Sequence, residues 1–284
     1  MDSAGLARTL TTADGLELTA RAWLPREPRT LLALVHGLAE HSGRYQDFAA
    51  QAAARGIGLV AVDLRGHGAS PGERSWVERF DDYLLDVDAL WAWAGELAGD
   101  RPRFLMGHSM GGAIALRWLA RHPAEATGLV LSSAALKIGA DVPSLLVALA
   151  PLLSRWLPRL RGKRIDPALI SRDPAQVAAY VGDPLVSLAA PPARTGAELL
   201  AAMVANRAAA PTLELAAYLF HGDADRLTDP AGSREIHDAL ASRDKTLRLW
   251  PGSRHETLHD LDGEAVAAEL LDWILARANP PTGG

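Results

Sequence analysis

Short apolar runs alternate along this 284-residue chain with longer stretches whose apolar residues have helical spacing. Consecutive apolar residues are typical of strands buried on both faces of a parallel sheet. Such runs lie at 31–35, 58–62, 103–106, 128–132, 215–220 and 246–250, and a more alternating strand lies at 16–24. Helices are predicted between them at 45–55, 80–97, 112–121, 234–240 and 264–277. The alternation predicts an α/β protein with a mostly parallel, doubly wound sheet.

One segment interrupts this alternation. Residues 137–211 contain no run typical of a buried strand, and their Ala-, Leu- and Pro-rich composition indicates several helices. Predicted core strands lie on both sides of the segment. We therefore predict a core made of residues 1–136 and 212–284, with residues 137–211 inserted as a helical cap over one end of the sheet. These residues are called the inserted segment below.

Composition excludes several function classes. The net charge of −5 argues against a nucleic-acid partner, because such proteins usually carry a basic surface. Without cysteine, the chain can form neither disulfides nor a thiolate metal site. The N-terminus lacks the pattern of a signal peptide, and the apolar stretch at 145–153 is too short to span a bilayer. A cytoplasmic protein is expected. No metal-ligand spacing and no nucleotide-binding loop is evident, so no cofactor is predicted.

The most informative motif is Gly107-His108-Ser109-Met110-Gly111, which lies between a predicted strand and a predicted helix. A serine hydroxyl is a weak nucleophile until a base removes its proton and the backbone holds it exposed. A sharp strand-to-helix turn exposes the serine, and the small residues around it let two backbones pass closely. Ser109 is therefore the candidate nucleophile.

An activated serine needs a base and a carboxylate that orients the base. In α/β proteins with this turn, the carboxylate and then the histidine follow the serine along the chain, each after a strand. After the strand at 215–220, Asp225 is preferred because it lies beyond the tight His-Gly turn, while Asp223 stays open as the alternative. Asp229 precedes a proline and looks like a helix start.

The base is sought after the final strand, where two histidines follow. His255 is closer to the strand end and is the predicted general base, whereas His259 is expected on the next helix. The developing oxyanion needs two backbone donors, which we expect from Met110 and Leu38. Near Leu38, the residues Glu40, His41 and Arg44 could line a pocket, although helix capping and surface pairing explain them as well.

With these motifs in place, the chain resembles the α/β-hydrolases of the monoacylglycerol lipase and lysophospholipase group, serine hydrolases with a helical cap. The resemblance rests on four stretches: 36–45 (HGLAEHSGRY), 63–70 (DLRGHGAS), 107–112 (GHSMGG) and 224–227 (ADRL). Asp183-Pro184-Leu185 also fits. The resemblance implies a triad of Ser109, Asp225 and His255, with oxyanion donors at Leu38 and Met110.

The resemblance also implies an activity, the hydrolysis of monoacylglycerols or similar single-chain esters. Lysophospholipase, broad carboxylesterase and thioesterase activity remain open within the enzyme class. The alternative from another class is a binding protein on the same fold without catalysis. The expected partner is a small lipid or ester, not nucleic acid.

The inserted segment carries one further feature, an apolar stretch at 145–157 that overlaps a basic cluster. The basic residues are Arg155, Arg159, Arg161, Lys163 and Arg164. An apolar helix beside cations can rest on an anionic lipid surface, which would make the protein peripheral to a membrane. The same residues could instead line a tunnel for an acyl chain, and the two interpretations are compatible.

Overall fold

The computed structural model describes residues 5–139, 143–162 and 164–278. Eight strands build one sheet. They are β1 (Leu6–Thr11), β2 (Glu17–Trp23), β3 (Thr30–Val35), β4 (Ile57–Val62), β5 (Arg103–His108), β6 (Gly128–Ser132), β7 (Ala216–Gly222) and β8 (Lys245–Trp250). Their order in the sheet is β1-β2-β4-β3-β5-β6-β7-β8. Only β2 pairs antiparallel with its neighbours β1 and β4, and all other neighbours are parallel.

Eight α-helices accompany the sheet in the described residues. They are α1 (Gln46–Ala54), α2 (Asp82–Ala98), α3 (Met110–Leu119), α4 (Ser144–Trp156), α5 (Pro174–Gly182), α6 (Ala193–Ala209), α7 (Pro230–Ala239) and α8 (Gly263–Ala278). One face of the sheet packs against α2, α3 and α7, and the other packs against α1 and α8. The predicted doubly wound α/β architecture is confirmed.

Strand β3 shows why the core strands read as continuous apolar runs. Leu31, Ala33 and Val35 belong to the core on the α2–α3 face, whereas Leu32 and Leu34 belong to the core on the α1–α8 face. Successive side chains of a strand point to opposite faces, so both sets must be apolar. Each fully buried large aliphatic side chain contributes about 1.5–3 kcal/mol.

The secondary structure differs from the prediction at three places. Strand β1 was not predicted, because it is an edge strand whose side chains are exposed except for Leu10. Helix α7 begins at Pro230, not at residue 234, because the Asp229 carboxylate accepts a hydrogen bond from the Ala231 N–H and caps the first turn. His259 lies in a short 3₁₀ helix, Thr257–His259, and not on α8.

The described part of the inserted segment consists of helices joined by irregular stretches. Helices α4, α5 and α6 and two short 3₁₀ helices, Pro167–Leu169 and Ala210–Thr212, lie between β6 and β7. The division of the chain into a core and a cap at residues 137 and 211 stays a prediction. Lys163 and the C-terminal residues 279–284 lie outside the described residues. Within the described ranges, no helix is both long and apolar enough to cross a membrane.

Candidate active site

Ser109 occupies the sharp turn between β5 and α3. Its backbone is in the positive-φ region, with φ 51° and ψ −119°, which non-glycine residues adopt only when their surroundings impose it. The neighbouring glycines make the turn possible. A Cβ atom at Gly111 would overlap the carbonyl oxygen of Val35, and one at Gly107 would overlap the carbonyl oxygen of Gly111. Close passage of these backbones therefore demands glycine at both positions.

The structure brings together the three residues proposed as a triad. The Nε2 atom of His255 lies 2.9 Å from the hydroxyl oxygen of Ser109, and its Nδ1 atom lies 2.7 Å from Oδ2 of Asp225. A carboxylate only accepts, so Nδ1 carries the proton and donates it to Asp225, which leaves Nε2 free to accept from the serine hydroxyl. The roles of nucleophile, base and orienting carboxylate remain predictions that this geometry supports.

The environment of Asp225 keeps it ionised. Its Oδ1 accepts from the N–H groups of Leu227 at 2.8 Å and Thr228 at 3.2 Å. Burial alone would raise the pKa of this carboxyl, but the neighbouring His255 and a hydrogen bond from His221 hold the pKa well below its usual range. In return, the pKa of His255 is raised above its ordinary value by the charge of Asp225, although burial of the ring acts against this.

The competing candidates have other contacts. Asp223 accepts a hydrogen bond from the Gly252 N–H at 2.6 Å, which closes the turn after β8. Asp229 caps α7, as its position before a proline predicted. His259 donates from Nε2 to the carbonyl oxygen of Arg44 at 3.0 Å, so it joins two loops. None of these side chains contacts Ser109 among the hydrogen bonds of the described residues.

The loop after β3 passes directly beside the nucleophile. A Cβ atom at Gly37 would lie 3.1 Å from the Cβ atom of Ser109. The Gly37 N–H donates to Oε1 of Glu40 at 2.6 Å and is therefore already used. Leu38 is the next residue of this loop after Gly37, and Met110 is the first residue of α3. Each has a backbone N–H near the turn at Ser109. Both remain our candidates for the oxyanion donors.

A buried ion-pair cluster joins this loop to the loop that carries His255. The guanidinium of Arg44 donates to Oε2 of Glu40 at 2.8 Å and to both carboxylate oxygens of Glu256 at 2.7 Å. Burial would raise the pKa of Glu40, yet the charge of Arg44 lowers it to about 2. Glu40 and Arg44 stand four residues apart, the spacing of a helical ion pair, although Glu40 lies before the short 3₁₀ helix Ser42–Tyr45. This spacing could have indicated the Glu40–Arg44 pair from the sequence. No sequence pattern indicated that Glu256 joins the cluster.

The inserted segment contacts both loops, since the Glu256 N–H also donates to the carbonyl oxygen of Ile170 at 2.8 Å. The N–H of Ser187 donates to the carbonyl oxygen of Ala39 at 2.8 Å, His41 and Asp183 are paired at 2.8 Å, and the Tyr180 ring stacks on the Arg44 guanidinium. A small cleft opens between this segment and the loop after β3. It is lined mainly by apolar residues, among them Leu38, Ile165, Ile170, Tyr180 and Leu188. In the described part of the chain, no three His, Asp or Glu side chains are arranged to hold a metal ion.

Comparison with known proteins agrees with this geometry. The family described as Serine aminopeptidase, S33 matches residues 26–262. A monoacylglycerol lipase of Mycolicibacterium smegmatis is 37% identical over 92% of this chain and 94% of its own length. A monoglyceride lipase of Mus musculus is 36% identical over 94% of this chain and 90% of its own length. The crystal structure of Paleococcus ferrophilus monoacylglycerol lipase superposes with a TM-score of 0.84 at 33% identity, and the match covers 92% of this chain and 99% of that one.

Proposed function

Because the chain belongs to the serine hydrolase family described as Serine aminopeptidase, S33, and has the α/β-hydrolase fold, we propose that it hydrolyses monoacylglycerols through an acyl-enzyme on Ser109. The activity is that of a carboxylic-ester hydrolase. The observation that supports the proposal most is the continuous hydrogen-bonded path from Ser109 through His255 to Asp225. Relatives named as monoacylglycerol and monoglyceride lipases, similar over nearly the whole chain, support the choice of ester.

In the first half of the reaction, the Ser109 oxygen attacks the ester carbonyl while Nε2 of His255 takes the hydroxyl proton. The resulting imidazolium is stabilised by the ionised Asp225 at 2.7 Å. Negative charge develops on the former carbonyl oxygen, where the N–H groups of Leu38 and Met110 would receive it. His255 then returns the proton to glycerol as the C–O bond of the ester breaks, and the acyl group stays on the serine.

In the second half, water attacks the acyl-enzyme. Nε2 of His255 is neutral again after glycerol has taken its proton, so it can act as base toward the water. The same two N–H groups receive the second oxyanion. Collapse of that intermediate releases the fatty acid and returns the proton to Ser109. Every proton transfer uses one atom, Nε2 of His255, which explains why its tautomer has to be fixed by Asp225.

The charges near the site support a neutral head group. Arg44 is the cation of the buried cluster, and two carboxylates, Glu40 and Glu256, already occupy its guanidinium. A lysophospholipid would bring a phosphate, which needs an unpaired cation or free N–H donors to offset its desolvation. Glycerol carries no charge and needs no such partner. We therefore propose a monoacylglycerol before a lysophospholipid.

We also propose that helix α4 contacts a lipid surface. Its residues Leu145, Leu149, Leu152 and Trp156, called the α4 stripe, repeat at helical spacing and are 68%, 40%, 54% and 68% exposed. Only Ser154 of this helix is buried. An apolar stripe that packs on no core costs free energy in water, and a membrane that supplies the substrate would cover it. These exposures favour the lipid-surface interpretation over a tunnel formed by the same side chains.

The head-group proposal is tested with three esters that share one acyl chain and with one amide. We would compare kcat/KM for a medium-chain monoacylglycerol, the lysophosphatidylcholine and the p-nitrophenyl ester of the same acid, and an aminoacyl p-nitroanilide. The anilide tests the amide cleavage suggested by the family description. The value for the monoacylglycerol should exceed those for the lysophospholipid and the anilide. A higher value for the anilide or the lysophospholipid would overturn the proposal.

The α4 proposal is tested by vesicle sedimentation with Leu152→Ser. The control is Leu6→Ser, because Leu6 is 57% exposed against 54% for Leu152 but lies on the edge strand β1. Partition onto vesicles of phosphatidylcholine and phosphatidylglycerol should fall several-fold for Leu152→Ser and stay unchanged for Leu6→Ser. Equal partition of both variants and the wild type would contradict the contact.

A further inference from the structure

A second histidine, His221, contacts the Asp225 carboxylate in addition to His255. His221 is the penultimate residue of β7, and its ring is completely buried. Its Nε2 atom lies 2.9 Å from Oδ2 of Asp225, the same oxygen that receives the Nδ1 proton of His255. Its Nδ1 atom lies 2.7 Å from the hydroxyl oxygen of Ser233 on α7. Nothing in the proposed reaction uses this ring.

The partners of His221 fix its tautomer. An ionised carboxylate only accepts, so Nε2 must carry a proton to make the contact with Asp225. Nδ1 of the neutral ring is then an acceptor, and the Ser233 hydroxyl, which has no other hydrogen-bond partner among the described residues, can donate to it. Both buried polar groups are satisfied without adding a charge. His221 thus has its proton on Nε2, whereas His255 has its proton on Nδ1.

The two histidines therefore donate to one oxygen atom from different directions. Thr228 adds a third contact to Oδ2, from its hydroxyl at 2.8 Å. A carboxylate turns about its Cβ–Cγ bond unless its hydrogen bonds hold it, because this torsion is broad. Two N–H donors from the following loop hold Oδ1. The bond from His221 fixes the position of Oδ2, the atom that sets the direction of the His255 ring.

We propose that His221 is a positioning residue for catalysis, which acts through Asp225 by donating its Nε2 proton to the oxygen that His255 uses. This inference rests on the proposed function, since it assumes that His255 is the base. Its contribution is a hydrogen bond from a neutral ring and not a proton transfer. Ser233 serves the same arrangement by donating its hydroxyl proton to the bare Nδ1.

Two amide substitutions separate the donor from the rest of the ring. His221→Gln places an N–H donor at the ε position and can still bond to Asp225, but it loses the acceptor that faces Ser233. His221→Asn keeps a polar group at the δ position facing Ser233 and loses the ε donor. Both replacements are uncharged and do not titrate. The two variants differ mainly in which ring nitrogen of His221 they imitate, Nε2 in His221→Gln and Nδ1 in His221→Asn.

We expect His221→Gln to keep kcat on a monoacylglycerol within about threefold of the wild type. His221→Asn should lower kcat about tenfold or more with little change in KM, since a lost hydrogen bond to a charged group is a substantial loss. The acid limb of kcat/KM should coincide for His221→Gln and the wild type, because His255 titrates there. The charged and titratable groups that face His255, which are Asp225, Glu256, Glu40 and His108, are the same in both proteins.

Equal activity of both variants and the wild type would overturn the proposal, since the ring would then only fill space. An equal loss in both would also overturn it, because the histidine itself and not its donor would be needed. A wild-type enzyme without any activity on monoacylglycerols would instead contradict the proposed function.

A measurement that needs no activity tests the tautomer directly. Long-range ¹H–¹⁵N spectra of the labelled wild-type protein distinguish protonated from unprotonated ring nitrogens, and the His221 signals are those absent from His221→Gln. We expect the proton on Nε2 and a bare Nδ1 at neutral pH. A proton on Nδ1 alone, or on both nitrogens, would contradict the assignment whatever the activity of the variants.

Discussion

The Nδ1 atom of His255 lies 2.7 Å from Oδ2 of Asp225, although the two residues are 30 positions apart in the chain. They reach each other because β7 and β8 are parallel neighbours, so that the loops following both strands meet at one edge of the sheet. Asp223 also follows β7 and precedes Asp225 by two residues, but its carboxylate accepts a hydrogen bond from the Gly252 N–H. Which aspartate contacts the histidine therefore depends on the direction of a side chain and not on its distance from the strand.

The first prediction separates these two aspartates. Asp225→Asn should lower kcat about 10⁴-fold, because an amide can donate to Nδ1 and would stabilise the wrong imidazole tautomer. Asp223→Asn keeps an oxygen that can accept from Gly252 and should cost less than tenfold. Steady-state rates on one monoacylglycerol decide between them. A larger loss for the Asp223 variant would exchange the proposed roles.

The second prediction concerns the acid limb of activity. His255 has to be neutral at Nε2 to take the serine proton, and the charge of Asp225 raises its pKa above the ordinary value of 6.5. Activity should therefore be lost as the pH falls through a midpoint above 6.5. The profile of kcat/KM between pH 5 and 9 measures this midpoint, since it reports groups of the free enzyme. Constant activity down to pH 5 would rule out His255 as the base.

The third prediction is a loss of stability in mild acid. Burial lowers the pKa of His67 to about 3 and that of His108 to about 4, so both stay neutral in the folded protein while the unfolded chain takes up protons below pH 6.5. The free energy of unfolding should therefore decrease as the pH falls from 6.5 toward 4, by about 1 kcal/mol per pH unit for each ring. The raised pKa of His255 acts in the opposite direction but above pH 6.5, where the folded protein binds this proton before the unfolded chain does.

Urea titrations at pH 7 and pH 5 measure the effect. His67→Asn offers a matched variant, because its amide can still donate to the Arg65 carbonyl oxygen, as Nδ1 of His67 does at 2.9 Å. It does not titrate, so its stability should depend less on pH than that of the wild type. Identical slopes for the two proteins would show that burial of His67 does not contribute.

The fourth prediction compares two glycines that both lie in helices. Gly111→Ala places a methyl group against the carbonyl oxygens of Val35 and His36, and should destabilise the protein by about 1–3 kcal/mol and disturb Ser109. Gly196→Ala on α6 meets no atom within 4 Å, and should stabilise it by about 0.5–1 kcal/mol. Thermal midpoints of both variants provide the measurement. Equal effects would mean that close backbone passage at the turn is not needed.

Local chemistry explains what could be predicted from the sequence. The core strands were found because burial on both faces demands consecutive apolar residues, as in β3. Ser109 was found because few sequences permit the close passage of two backbones that its turn requires. Strand β1 was not predicted because an edge strand with one buried residue has no pattern of apolar positions. Asp229 before a proline was recognised as a helix start, yet α7 was predicted to begin at residue 234, because Gly232 and Ser233 in its first turn are weak helix formers.

Contacts between distant segments could not be predicted in the same way. Glu256 reaches Arg44 across 212 residues, and His221 reaches Ser233 from a strand to the next helix. A polar residue beside a predicted site fits capping, surface pairing and burial alike until the tertiary structure supplies its partner. Glu40 and Arg44 were recognised as candidates on this basis, and only the fold showed that they are buried.

The central claim is that Ser109 forms the acyl-enzyme, and active-site labelling followed by intact mass spectrometry tests it most directly. A fluorophosphonate should add one adduct to the wild-type protein, peptide mapping should place it on Ser109, and monoacylglycerol hydrolysis should disappear with it. Ser109→Ala should remain unlabelled and lose up to about 10⁶ in kcat, while Ser144→Ala at the exposed start of α4 should behave as the wild type. Full labelling or near-normal hydrolysis in Ser109→Ala would contradict the claim.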